Sequence, residues 1–321
     1  YGAGTTDTAA LMMLQARMLT RPDGLNSFIV PKPFTYSSNW RQMRNFLLDE
    51  LIELVDCGKV WKEVKLEQVI YQLRKGINDL SYRSCQRVGH DVEYLGNISK
   101  ADCILFGFTL NGIGDDELKI GKAVFERGTP LSEFVSNTRG AMLQGALQNG
   151  GIGKAAIGGA QINRYRIVGF KGSLSSKVEI ASNAFPVSGS IIVQNIVAHI
   201  MNPTPHIKII GTITDDEIAR NLILLDTVNQ LIPIRNGVAS SYLLGLLHSR
   251  LLNWYVYRFI FAQAIRTMHF DGPVTSRIPI RTIDPTNPTD KANHDRMVAL
   301  VERMLDLHKR HAAEANPHVK T

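Results

Sequence analysis

"GKVWKEVKLEQVIYQLRKG", Gly58 to Gly76, ends in a run whose apolar positions Val69, Tyr71 and Leu73 alternate with Gln68 and Gln72. A period of two is the signature of a strand with one buried face. Ahead of it Trp61 stands in a charged loop, between Val60 and Lys62. An aromatic there either covers a sheet edge or offers its π-face to a partner. Reading upstream, "LIELVDC" makes a second strand, preceded by a helix over Trp40 to Glu50 that Asn39 caps, with Met43, Phe46, Leu47 and Leu51 on one face. Before that, "NSFIVP" is a short apolar run ended by proline, the pattern of a buried parallel strand. The first helix carries Leu11, Met12, Leu14, Met18 and Leu19 at helical spacing, is capped by Thr6 or Asp7 and is stopped by Pro22-Asp23-Gly24. Helix, strand, helix, strand, strand is part of an α/β sheet and too little for a whole domain.

A chain of 321 residues with 44% hydrophobic content can bury a sizeable core and corresponds to about two domains. Its longest apolar runs, such as Trp254 to Ala264, are broken by Arg258 and Gln263, so no membrane role is expected. The N-terminus has neither a basic region nor an initiator Met and reads as a cut end rather than a signal peptide. Cys57, Cys85 and Cys103 are odd in number and far apart, which suggests neither a disulfide framework nor a zinc site and fits a reducing cytoplasm. The formal charge of +7 and the pI near 9.3 suit a polyanionic partner. That charge is spread evenly, +2 over residues 1–76, +2 over 77–206 and +3 over 207–321, so any nucleic-acid surface must be assembled by folding.

Beyond Ile77, "YLGNISKADCILFGFTLNG" reads as a strand pair or a strand and linker, and "DDELKIGKAVFERG" as a short amphipathic helix. Seven glycines follow between Gly140 and Gly159. The segment is not a phosphate loop, because Ala155 stands where Ser or Thr would hold magnesium, and it contains no G-x-G-x-x-G spacing. Tight turns or close backbone approach explain the glycines better. Near the end, Met297, Leu300, Val301, Met304, Leu305 and Leu307 mark an amphipathic helix, with His308 and His311 close by but no further ligand to complete a metal site.

The phrases "FIVPKPF", "NWRQMRNFLL" and "GKVWKEVKLEQVIYQLRK", in that order, resemble the second half of the catalytic domain of adenine-specific DNA amino-methyltransferases. The likeness is strongest to large restriction-modification enzymes that carry a TaqI-like specificity domain. In that family the target adenine is rotated out of the duplex, and an aromatic in the loop before the last long strand stacks on it; Trp61 falls at that position. Base–aromatic stacking is worth about 1–3 kcal/mol, comparable with the cost of unstacking. The family's Asn-Pro-Pro-aromatic tetrapeptide and its glycine-rich turn for S-adenosylmethionine are absent here. The resemblance therefore implies S-adenosylmethionine as the cofactor of a longer parent, with the missing N-terminal part of the same polypeptide as a partner. It implies that this chain alone holds no catalytic residue and no cofactor.

From about Pro130 to Arg281 the chain resembles the TaqI-like specificity domain, on "LSEFVSNTRGAMLQG", "AAIGGAQINRYRI", "IIVQNIV", "LLDTVNQLIPI", the long helix "YLLGLLHSRLLNWYVYRFIFAQ" and "SRIPIR". Where the family has Asn before Ser in that helix, this chain has His248, read as a packed or capping residue. Reading DNA requires Arg for guanine and Asn or Gln for adenine, with Lys and Arg on phosphates. Arg139, Gln144, Gln161, Asn163, Arg164 and Arg166 are of the reading types, and Lys171 of the holding type.

The resulting expectation is an α/β chain. Residues 1–76 form the C-terminal part of a Rossmann-like methyltransferase sheet, 77–285 a mixed α/β target-recognition domain, and 286–321 a C-terminal amphipathic helix and tail. The expected function is recognition of double-stranded DNA within an S-adenosylmethionine-dependent adenine methyltransferase of a cytoplasmic restriction-modification system, with or without cleavage by the parent. A stand-alone DNA-binding specificity subunit is the alternative. A nuclease reading rests on Asp102 and Glu117-Leu118-Lys119, a loose imitation of a D…E-x-K magnesium site that lacks its preceding proline.

Overall fold

The computed structural model describes residues 8–150, 153–235, 238–266 and 268–314; the proposed caps Thr6 and Asp7 lie outside them. The chain divides into two compact units, one comprising the residues up to Glu126 and the segment from Tyr255 to Thr267, the other Arg127–Trp254 and the residues from Met268 onward.

The first unit is built from α1 (Thr8–Leu19), β1 (Leu25–Pro31), α2 (Arg41–Leu48), β2 (Leu51–Gly58), β3 (Gln68–Arg74), β4 (Ser81–Val88), β5 (Asp91–Ser99), α3 (Lys100–Phe106) and α4 (Asp115–Glu126). One mixed sheet in the order β1-β3-β2-β4-β5 organises it. β3 runs antiparallel to both β1 and β2, whereas β2 and β4 are parallel. The alternation of the opening stretch is realised: Val69, Tyr71 and Leu73 are buried, and Tyr71 lies opposite both Phe28 and Leu54.

Five expectations change. β1 is an edge strand of the sheet, paired antiparallel to β3, and exposes Leu25 and Ile29; an antiparallel edge needs only one buried face. Of α1 only Ala10 and Met13 are buried, while Leu11, Met12, Met18 and Leu19 are exposed. The second helix starts after a 3₁₀ turn over Ser38–Trp40 with Trp40, which makes no side-chain cap bond, at the N-cap position, so Asn39 is not its cap. "ADCILF" is helical, because Ser99 accepts the Ala101 N–H at its start and Gly107, at φ 73°, closes it in the left-handed region. Gly76 is not a boundary of the sheet: β4 and β5 extend it through β2, and the first unit continues to Glu126.

Two sheets of three or more strands organise the second unit. A four-stranded antiparallel sheet is made by β6 (Val135–Arg139), β11 (Ile191–Gln194), β12 (Gly211–Ile213) and β14 (Val228–Pro233), in the order β12-β11-β14-β6. β7 (Lys154–Ile157), β10 (Gly172–Leu174) and β13 (Leu222–Leu224) form the other, ordered β10-β7-β13, and a short hairpin of β8 (Ile162–Asn163) and β9 (Arg166–Ile167) lies between β7 and β10 in sequence. The strand Leu222 to Leu224 shows how the core is divided. Leu222 and Leu224 join Ile157, Ile162, Ile192 and Val228 on one face, while Ile223 joins Ala156, Leu174, Ala184 and Leu225 on the other. Successive side chains of a strand point to opposite faces, so one apolar run feeds two clusters.

The glycine-rich segment is explained by proximity. A Cβ on Gly140 would fall 2.4 Å from the Leu225 carbonyl oxygen, and one on Gly159 would fall 2.8 Å from that of Thr227. The expected long helix is broken: α5 (Ser240–His248) ends at Ser249, whose ψ of 149° is extended, and α6 (Arg250–Tyr255) begins anew with the Ser249 hydroxyl accepting the Leu252 N–H. The C-terminal helix α7 (Pro288–Glu314) buries Val301 but leaves Leu300, Met304 and Leu307 exposed. It approaches α5 at Gly245, where a Cβ would meet Met297 and Val301.

Candidate nucleic-acid interface

Residues 59–67 join β2 to β3 and carry Trp61. Val60 turns inward against Val55, Cys57 and Cys85, whereas Trp61 is 44% exposed and, with Lys59, Lys62 and Lys65, stands at the surface. The loop leaves the indole partly open to solvent and carries three exposed ammonium groups.

The base of this loop is clamped. Asp56 accepts the Gly58 N–H at 3.0 Å and pairs with Lys32 at 2.6 Å, both side chains being buried. The Gln68 side chain crosses the loop, accepting from the Val60 N–H and donating to the Leu66 carbonyl. The backbone carbonyl of Glu67 accepts the Lys32 N–H at 2.8 Å. The Lys of "FIVPKPF" is thus 2% exposed, which is tolerable only because its charge is paired and hydrogen-bonded. Nothing in the sequence beyond an isolated lysine at the end of an apolar run marked it. In this α/β arrangement the site lies at the carboxyl ends of β1 and β2, where ligands of open sheets are commonly bound.

In the second unit, Gln161 and Lys171 come together. With Gly158, Gly159, Ala160, Gln194, Ile196 and Thr227 they line an open cleft of about 320 Å³. Lys171 is exposed, but the Gln161 side-chain oxygen Oε1 is occupied by the Gly158 N–H, at 3.1 Å. Gln194, which the sequence reading passed over, donates to the carbonyls of Gly159 and Ile162 and fixes the loop between them. Arg139 and Gln144 converge on Asp226, next to the cleft-lining Thr227, and both donate to it. The exposed Asn163 uses its carbonyl oxygen on the Arg164 N–H. Arg164 and Arg166 are half-buried and each has a buried Nε with no partner among the described residues. Burial lowers the Arg164 pKa.

Between the two arginines Tyr165 adopts φ 65° and its ring meets His248 edge-on at 4.7 Å and stacks on His308 at 5.9 Å. His248 is a packed residue, 6% exposed, and burial, helped by the Arg164 charge, pushes its pKa down to about 3. Phe170, 64% exposed between Gly169 and Lys171, is an aromatic that charge-based reading missed.

Asp102 and Glu117 are not a metal site: Lys122 holds Asp102 at 2.8 Å, and Arg258 holds Glu117. Among the described residues no group of three or more His, Cys, Asp or Glu is placed to hold a metal, and no helix is long and apolar enough to cross a membrane. All three cysteines are buried and free.

No protein-family model and no curated protein sequence matches the chain. In fold, it resembles the type IIL restriction-modification enzyme MmeI, solved in complex with DNA. That likeness has a TM-score of 0.54 at 12% identity and covers 92% of this chain and 44% of the enzyme. The type IIG restriction endonuclease BpuSI aligns more loosely, with a TM-score of 0.38 at 9% identity over 92% of this chain and 44% of that one. So does the type I restriction-modification S subunit from M. genitalium, at 0.32 and 10% identity over 61% and 49%. The chain spans about 44% of the length of MmeI and of BpuSI.

Proposed function

We propose that this chain is the DNA-recognising part of a restriction-modification enzyme that methylates adenine, and that Trp61 stacks on the flipped target base. The observation that carries the reading is an exposed indole in a loop whose base is locked by buried polar groups. A flexible aromatic would lose much of its stacking energy to ordering, whereas a loop already held in place gives up little. Lys59, Lys62 and Lys65 supply phosphate neutralisation around it. The fold likeness to MmeI, a structure that contains DNA, supports the same partner. In the second unit Lys171 and the free amide groups of Gln161 and Asn163 are the groups left to face DNA, while Asp226 holds Arg139 and Gln144 until DNA competes for them.

S-adenosylmethionine would be the methyl donor of the whole protein. The described residues of the glycine-rich segment do not fit it: Lys154–Ile157 is a strand, and Gly140 and Gly159 are turned against backbone carbonyls rather than open to a ligand. No chemical step is assigned to this chain. Its residues bind, orient and stack.

The test begins with the purified chain and a pool of duplexes with a randomised centre. Enrichment of one sequence is expected, with affinity falling as salt rises. Replacing each adenine of that sequence by 2-aminopurine should give a fluorescence rise at one position, abolished by Trp61→Ala while binding to unrelated duplex is kept. No enrichment, or an undiminished rise in the mutant, would overturn the reading.

A further inference from the structure

The chain re-enters the first unit at Tyr255 after the first part of the second unit, and leaves it again before Met268. This strap is conformationally unusual. Val256–Ile260 is a π-helical turn, and Ala262 and Gln263 follow with φ of 49° and 59°. Both features are uncommon, and consecutive left-handed residues without glycine persist only where surrounding contacts enforce them.

Those contacts lead to the Trp61 loop. The Gln263 side chain donates to the Gly112 carbonyl at 3.0 Å, and Gly112, itself at φ 60°, packs against Asp56 and Gln263. The Ile265 N–H donates to Glu67 Oε1 at 3.0 Å. Glu67 is 4% exposed and is the last residue of the loop. Arg258 pairs with Glu117, and the Phe259 ring lies over Gly121, where any Cβ would collide with it, so the strap is anchored on α4 as well.

We propose that Glu67 is a positioning residue: it latches the Trp61 loop to the strap, so that the segment connecting the two parts of the second unit sets where the indole stands. This deepens the stacking reading and rests on it for its function, but the latch can be tested without DNA. The left-handed pair at Ala262 and Gln263 turns the Ile265 N–H toward the buried carboxylate, and the carboxylate fixes the end of the loop while Asp56 fixes its start.

The experiment is hydrogen exchange on the full chain, comparing wild type with Glu67→Ala, Glu67→Gln and Gln263→Ala, with global unfolding in urea as the control. Glu67→Ala and Gln263→Ala should each speed exchange in residues 59–67 by about tenfold while the rest of the sheet stays within about twofold. Glu67→Gln, which keeps an acceptor oxygen for Ile265, should restore slow exchange. Even acceleration across the whole unit, or none in the loop, would overturn the latch. If Glu67→Ala does not fold, Gln263→Ala decides alone by the same criterion. In the 2-aminopurine assay the latch variants should weaken the fluorescence rise in proportion to loop exchange. An undiminished rise in Trp61→Ala refutes stacking and leaves the exchange result to judge the latch separately.

Discussion

The loop at Trp61 and the glycine-rich region of the second unit were marked by the same kind of sequence signal, yet they fold in opposite senses. At Trp61 the polar groups are buried and the aromatic is exposed; Lys32, Asp56, Glu67 and Gln68 hold the loop from beneath. In the glycine-rich region the polar side chains serve their own backbone and one another, and glycines lie close against carbonyls. Residue type announces what chemistry is available, whereas burial and prior partners decide whether it is free to meet a ligand. A loop whose donors and acceptors are satisfied at its base is preorganised. A surface whose Arg139 already has a carboxylate must exchange that contact for a new one.

The sharpest way to break this contrast is to remove the buried cation. Lys32→Met leaves Asp56 charged and unpaired in the interior and should cost about 3–5 kcal/mol, read as a lowered urea midpoint. A loss below about 1 kcal/mol would mean that the clamp is not what orders the loop.

Next in size is a pH effect confined to the second unit. His248 is held near 3 in the folded state against 6.5 in its ordinary state, so the unfolded chain takes up a proton that the native one refuses. Its contribution is therefore neutral above about pH 6.5, and stability falls as the pH drops through the window below it, by about 2 kcal/mol between pH 6.5 and 5. His248→Leu should flatten that part of the stability profile; an unchanged slope would show that other groups carry it.

A smaller effect is expected at Asp226. Asp226→Ala removes the acceptor shared by Arg139 and Gln144, costing about 1 kcal/mol of stability while strengthening nonspecific DNA binding through the released guanidinium. Weaker DNA binding would instead assign the carboxylate a direct role in shaping the surface. The smallest change belongs to Trp61→Ala: with an exposed side chain, it should shift stability by no more than about 0.5 kcal/mol. A larger loss would return the indole to a packing role.

Periodicity alone exposed β3, β2 and α4, because strands and helices with one buried face write their period into the sequence. His248 was read as packed or capping and is packed, and the close approach of Gly140 and Gly159 was legible from the glycine content of the segment. The amino-acid order also placed an aromatic in a charged loop. Tertiary structure decided what local pattern cannot encode. It made β1 an antiparallel edge, carried the first sheet past Gly76 into β4 and β5, broke the long helix at Ser249 and returned Tyr255–Thr267 to the first unit. The strand pairings and the returning segment depend on contacts between residues distant in the chain. Burial of Lys32 beside Asp56 and the contact of Glu67 with Ile265 are of the same kind: a charge becomes structural only when folding brings its partner and excludes water.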